Sequence, residues 1–115
     1  YDELLAGLPV RPLARRAGRD SGWHLYVVNV RREAAHSRRE VFERLRAAGI
    51  GVNVHYIPVH LQPYYRARGF SPGDFPRAEA YYDTAITLPL FPAMTDADLG
   101  AVVAALPVAL GQQAT

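Results

Sequence analysis

Within eight consecutive positions, Asn53-Val54-His55-Tyr56-Ile57-Pro58-Val59-His60 places a carboxamide, two imidazoles and a phenol. Such groups donate and accept hydrogen bonds, and imidazoles also move protons or ligate metals. All 13 Lys-or-Arg side chains of the 115-residue chain are arginine. Chemistry that runs through a lysine amine, a Schiff base above all, is therefore closed to this chain unaided. Metal binding fits poorly, because His55 and His60 lie five apart across Pro58 and the nearest later carboxylate is Asp74. That spacing matches neither a helical pair nor a short strand pair of ligands. Hydrolysis fits no better: the serines are Ser21, Ser37 and Ser71, and none sits in a nucleophile elbow.

The elements that must hold this cluster can be read on either side of it. Trp23 to Val30 is aromatic and β-branched, the composition of a strand covered on both faces. Ser37 with Glu40 forms a capping-box pattern, and Val41, Phe42, Leu45 and Ala48 recur at helical spacing until Gly49. A helix from Arg38 to Ala48 is expected. Ile50, Val52, Val54 and Tyr56 alternate with Gly51, Asn53 and His55, which predicts a half-buried strand closed by Pro58. On that alternation Asn53 and His55 face out of the domain, and Tyr56 falls on the core side.

Val59 to Gly69 reads as a short helical turn and loop of high aromatic density. Asp74-Phe75-Pro76 can start a helix with Asp74 as its cap and Ala78, Tyr81, Tyr82 and Ala85 as its inward stripe. Ile86 to Leu90 follows as a short strand whose Pro89 forces an edge, a bulge or a strand end. Thr95 with Asp98 caps a last helix carrying Leu99, Val102, Val103 and Leu106 on one face, which Pro107 should kink or end. The expected fold class is α/β, in an α+β two-layer form: a small, mostly antiparallel sheet of about three strands with helices packed on one face. The third strand could lie antiparallel between the first two.

Half the residues are apolar, enough for one domain to bury a core without cross-links. The absence of cysteine, of a signal peptide and of any long apolar run points to a soluble, cytoplasmic protein with no membrane contact. Arg31, Arg32, Arg38, Arg39, Arg44 and Arg46 are interleaved with Glu33, Glu40 and Glu43, so the basic balance reads as a mixed solvated surface and not a nucleic-acid footprint. Residues 1–22 show little periodicity and are expected to lead in from a missing upstream region. Residues 23–110 form the domain, and 111–115 a frayed tail.

Taken alone, His55 reads first as a histidine satisfied by backbone partners. His24 reads as structural, and Tyr64, Tyr65, Tyr81 and Tyr82 read as packing residues with wet hydroxyls.

Trp23-His24-Leu25-Tyr26, Leu45 through Gly49-Ile50, Val54 through His60, Pro63-Tyr64-Tyr65, Phe75-Pro76-Arg77-Ala78-Glu79 and Leu88-Pro89-Leu90 occur in one order. In that order and spacing they resemble the C-terminal domain of the DegT-like sugar-nucleotide aminotransferases. The resemblance spans Trp23 to Leu106 and looks closest to the transaminase of pseudaminic acid biosynthesis. It implies the small domain of a fold-type-I enzyme, usually a homodimer. Such an enzyme uses pyridoxal 5'-phosphate to move an amino group from glutamate to C4 of a UDP-linked 4-keto-6-deoxy-N-acetylhexosamine. It also implies that the cofactor-bearing lysine lies in the chain's own large domain upstream, leaving no catalytic, cofactor-binding or metal residue here. His55, Tyr56 and His60 then become substrate-contacting donors on one wall of the pocket, in a segment inert alone. The alternative is a free-standing α/β module that binds a nucleotide sugar or an acidic partner through Arg66, Arg68 and the histidines.

Overall fold

Burial of β-branched side chains organises the domain. The structure, a computed structural model, describes residues 1–112. Its centre is strand β2 (Tyr26–Val30), buried along its whole length, with β1 (Val10–Pro12) and β3 (Ala85–Leu88) antiparallel on its two sides. Val10 pairs with Val30 and Val28 with Ile86. Alternation then puts Tyr26, Val28, Val30, Ile86 and Leu88 on one face.

Helices α1 (Arg38–Ala47) and α4 (Asp96–Ala109) close that face with Val41, Leu45, Val102 and Leu106, all in the core cluster. Each such side chain stabilises the fold by roughly 1.5–3 kcal/mol relative to exposure. The expected two-layer arrangement is present.

Both helices begin and end where local chemistry dictates. Ser37 N–H donates to Glu40 Oε2 at 2.8 Å, and Glu40 N–H donates back to Ser37 Oγ at 3.4 Å. Thr95 and Asp98 repeat the exchange at 2.8 and 3.2 Å. At the C-termini, Gly49 (φ +80°) and Gly111 (φ +79°) take the left-handed conformation that a Schellman close requires. Ile50 N–H then reaches Leu45 O at 2.9 Å, and Gln112 N–H reaches Pro107 O at 3.0 Å. Pro107 was expected to kink or end the last helix, but α4 continues to Ala109. The proline sits in the final turn, where it removes one N–H while its own carbonyl still accepts the closing bond. Of the tail expected to fray, Gly111 and Gln112 are held by these bonds, and 113–115 lie outside the described residues.

The segment expected only to lead in is stitched to the sheet. Leu5 and Val10 are buried, and the Tyr1 ring stacks on Tyr26 at 4.7 Å. The Tyr1 hydroxyl donates to Pro89 O at 2.8 Å, and burial pushes its pKa up to about 12. Tyr26 hydroxyl donates to Asp2 at 2.6 Å. That bond, ahead of the Arg15 contact, holds the Asp2 carboxyl below its ordinary range. Burial first and Asp2 second raise the Tyr26 phenol.

Two expectations need correction. The strand at residues 50–56 is reduced to one bridge, in which Asn53 N–H donates to Thr87 O at 3.1 Å and Thr87 N–H to Asn53 O at 2.8 Å. β3 does lie antiparallel between β2 and this bridge. Before Asn53 the next rung would pair Gly51 with Pro89, which has no N–H, and after it His55 with Ala85, whose N–H already donates to Tyr81 O, so the ladder extends in neither direction. The other concerns α3 (Pro76–Thr84), which has no buried residue: Ala78 is exposed, and Tyr81 and Tyr82 are half-buried. Its N-cap is Phe75, because the Asp74 carboxylate closes the preceding turn on Ser71 N–H at 2.7 Å. Helix α3 meets the non-core face, where Asn29 Nδ2 donates to Thr84 Oγ1 at 2.9 Å.

The two helix-closing glycines should differ in cost. A Cβ on Gly49 meets nothing within 4 Å, whereas one on Gly111 comes to 2.6 Å from Ala35 Cβ and 3.1 Å from the His36 ring. Urea unfolding should show G49A destabilising by about 1 kcal/mol, from conformation alone, and G111A by distinctly more. Equal losses would contradict the close approach at Ala35.

Candidate functional site

The Asn53 bridge delivers the following residues onto the non-core side of β3. Thr87 lies between the core-facing Ile86 and Leu88, so its side chain points the other way, and its Oγ1 is 2.8 Å from His55 Nδ1. Asn53 turns its own Oδ1 back to accept from Val54 N–H at 2.8 Å, which rigidifies the approach to His55. His55 is half-buried, and Tyr56 stands edge-on to it at 4.6 Å and 87°.

Tyr56, expected on the core side by alternation, is 72 % exposed. The strand that would have turned it inward does not continue past Asn53.

Asn53, His55 and Thr87 line an open cavity of about 490 Å³ together with the apolar Ile50, Leu90, Phe91 and Met94. Asp98 also reaches this cavity, but its carboxylate already caps α4, and those Thr95 bonds hold its pKa below the ordinary range. Fixed hydrogen-bonding groups beside an apolar wall suit an uncharged, oxygen-rich ligand better than a cation.

His60 sits apart from this pair. It lies in a 3₁₀ turn (Val59–Leu61), is 6 % exposed, and its Nε2 meets Glu79 Oε1 at 2.8 Å, with the Phe75 ring 4.8 Å away. The Glu79 carboxylate also accepts from the N–H of Gly73 at 2.8 Å and of Phe75 at 3.4 Å. These bonds, His60 first and Gly73 next, hold the Glu79 pKa below its ordinary value. Glu79 thus clamps the 3₁₀ turn, the loop before α3 and α3 itself.

Beside the clamp, Val59, Tyr65, Phe70, Phe75 and Ala78 line a second, apolar cavity of about 360 Å³. Tyr64, which follows Pro63 in the short helix α2 (Pro63–Arg66), is exposed under the Arg68 guanidinium at 4.4 Å, while Tyr65 packs edge-on to Phe70. His24, read as structural, is exposed.

Thr87 and Glu79 were not singled out by their types. The available signal for Thr87 was a hydroxyl residue between two apolar positions of a fully buried strand. Among the described residues no three metal-ligating side chains converge, and no helix is long and apolar enough to cross a membrane.

The family model described as the DegT/DnrJ/EryC1/StrS aminotransferase family matches residues 1–107. The spore coat polysaccharide biosynthesis protein SpsC of Bacillus subtilis is 40 % identical over 100 residues, 84 % of this chain and 25 % of that protein. A sugar aminotransferase from Streptococcus pneumoniae, solved in its PMP form, superimposes with a TM-score of 0.87 at 31 % identity. That match covers 96 % of this chain and 28 % of the other. PseC of Helicobacter pylori, an aminotransferase involved in the biosynthesis of pseudoaminic acid, has a TM-score of 0.82 but 21 % identity over 96 % of this chain and 30 % of its own, a likeness of fold. The chain spans about a quarter of the length of the curated relatives it matches.

The Glu79 clamp carries a signed pH dependence. Because its folded-state pKa is depressed, its contribution is present above the ordinary glutamate value of 4.5 and is lost as pH falls through the lower folded value. Thermal unfolding across pH should show E79Q below the wild type near neutrality, with the gap closing in acid. A gap that stays constant into acid would contradict the clamp.

Proposed function

Because this chain belongs to the DegT/DnrJ/EryC1/StrS aminotransferase family, we propose that it is the C-terminal small domain of a pyridoxal-phosphate-dependent sugar-nucleotide aminotransferase. In this reading it forms one wall of the substrate pocket. Its residues do not fit the cofactor itself: there is no lysine to carry it, and the Asp98 carboxylate beside the cavity is already taken up by the cap of α4. The large domain of the same protein holds the cofactor, and the whole enzyme works in the cytoplasm as a homodimer.

The observation that carries the reading is the His55 imidazole, fixed by Thr87 in the lining of an open cavity with Tyr56 exposed beside it. Both side chains offer hydrogen bonds to sugar oxygens. His60 stood beside them in the sequence reading as a third contact. Its buried Nε2 already meets Glu79, so its part is to hold the turn that follows them. A sugar substrate is supported by the polysaccharide-building name of the Bacillus subtilis relative. The finer assignment rests on the order of motifs from Trp23 to Leu90: glutamate as donor, and C4 of a UDP-linked 4-keto-6-deoxy-N-acetylhexosamine as acceptor.

His55→Ala in the full-length protein should lower kcat/KM for the keto sugar roughly ten-fold, the scale of one lost directional hydrogen bond. The visible absorbance of the bound cofactor should stay intact. Unchanged kinetics would return His55 to a purely structural role.

A further inference from the structure

Thr87 has more to do than complete a strand. It is 6 % exposed, and its backbone N–H and C=O are both engaged by Asn53. Among the described residues its hydroxyl has a single hydrogen-bond partner, His55 Nδ1 at 2.8 Å. A hydroxyl carries one proton, and a buried donor left without an acceptor is costly.

If Nδ1 held the imidazole proton it would donate to Oγ1, and the threonine proton would be left with no acceptor among the described residues. If Nδ1 is bare, the hydroxyl donates to it and both groups are satisfied. The proton of the neutral ring then sits on Nε2. We propose that Thr87 is a positioning residue that holds His55 as its Nε2–H tautomer, so that the imidazole presents a fixed donor, and not an acceptor, to an oxygen of the substrate.

The proposal rests on the reading of His55 as a substrate contact and adds the sense of the hydrogen bond. A fixed donor selects ligands with a keto, hydroxyl or carboxylate oxygen at that point and penalises those that bring an N–H or O–H with no lone pair in line. The backbone bridge of Asn53 to Thr87 fixes the distance, and the hydroxyl fixes the tautomer.

The test uses the full-length protein labelled with ¹⁵N-histidine, with H55A identifying the His55 resonances. Long-range nitrogen–proton correlations then report the tautomer without reference to turnover. Wild type and T87S should both show Nε2–H at His55. T87V, which keeps the branched shape and removes the hydroxyl, should show a mixture of tautomers. T87V should also lower kcat/KM for the keto sugar roughly ten-fold, T87S should retain it, and T87V should add nothing in an H55A background.

A wild-type His55 protonated on Nδ1 overturns the proposal. So does an equal loss from T87V with and without His55, which would mark Thr87 as structural only. The assigned tautomer together with unchanged kinetics in H55A and T87V overturns instead the reading of His55 as a substrate contact.

Discussion

Everything at the site hangs from the outer edge of β3, where Asn53 and Thr87 exchange two backbone hydrogen bonds. β2 occupies the other edge, so this one is open to capture the chain returning from α1. Because Pro89 cannot donate on one side of the bridge and the Ala85 N–H is given to Tyr81 O on the other, capture stops after a single rung, and the segment leaves the sheet immediately afterwards. A full strand would have turned Tyr56 into the core and paired His55 along the ladder. One rung instead leaves His55 on the Thr87 hydroxyl and Tyr56 in the open.

The rest of the fold makes that edge rigid. Ile86 and Leu88 anchor β3 from its core face against α1 and α4, so Thr87 cannot shift without disturbing fully buried neighbours. At the far end of the segment, the Glu79 carboxylate ties down the 3₁₀ turn that contains His60. The chain from Asn53 to His60 is therefore pinned at both ends, by a backbone bridge and by a carboxylate clamp, with its accessible polar side chains, Asn53, His55 and Tyr56, near the first pin.

Local chemistry was legible in the sequence, and long-range partnership was not. Ser37 with Glu40, Thr95 with Asp98, and Gly49 declare helix ends within a few residues, and the structure places them there. The outward parity of Asn53 was also readable, since Val52 is buried and Asn53 is exposed. The loss of the strand beyond Asn53 was not, because it depends on Ala85, which lies far along the chain, gives its N–H to Tyr81 O and only matters once β3 is adjacent. The same holds for β1, whose Val10–Pro12 has no periodicity to announce it and becomes a strand by pairing with β2. The α3 stripe misled because apolar spacing says that a face could be covered, not that this chain covers it. His60 read as a site residue from its neighbours in sequence, while its partner Glu79 is 19 positions away.

In the proposed function this lysine-free domain orients the keto sugar, and the amine that carries the cofactor belongs to residues of the same protein outside these 115. Borohydride reduction of the full-length protein in the presence of pyridoxal phosphate, followed by peptide mapping, addresses this division of labour directly. The account expects one pyridoxyl-modified lysine, located outside the 115 residues described by this sequence. A protein that takes up no pyridoxyl group under these conditions would contradict it.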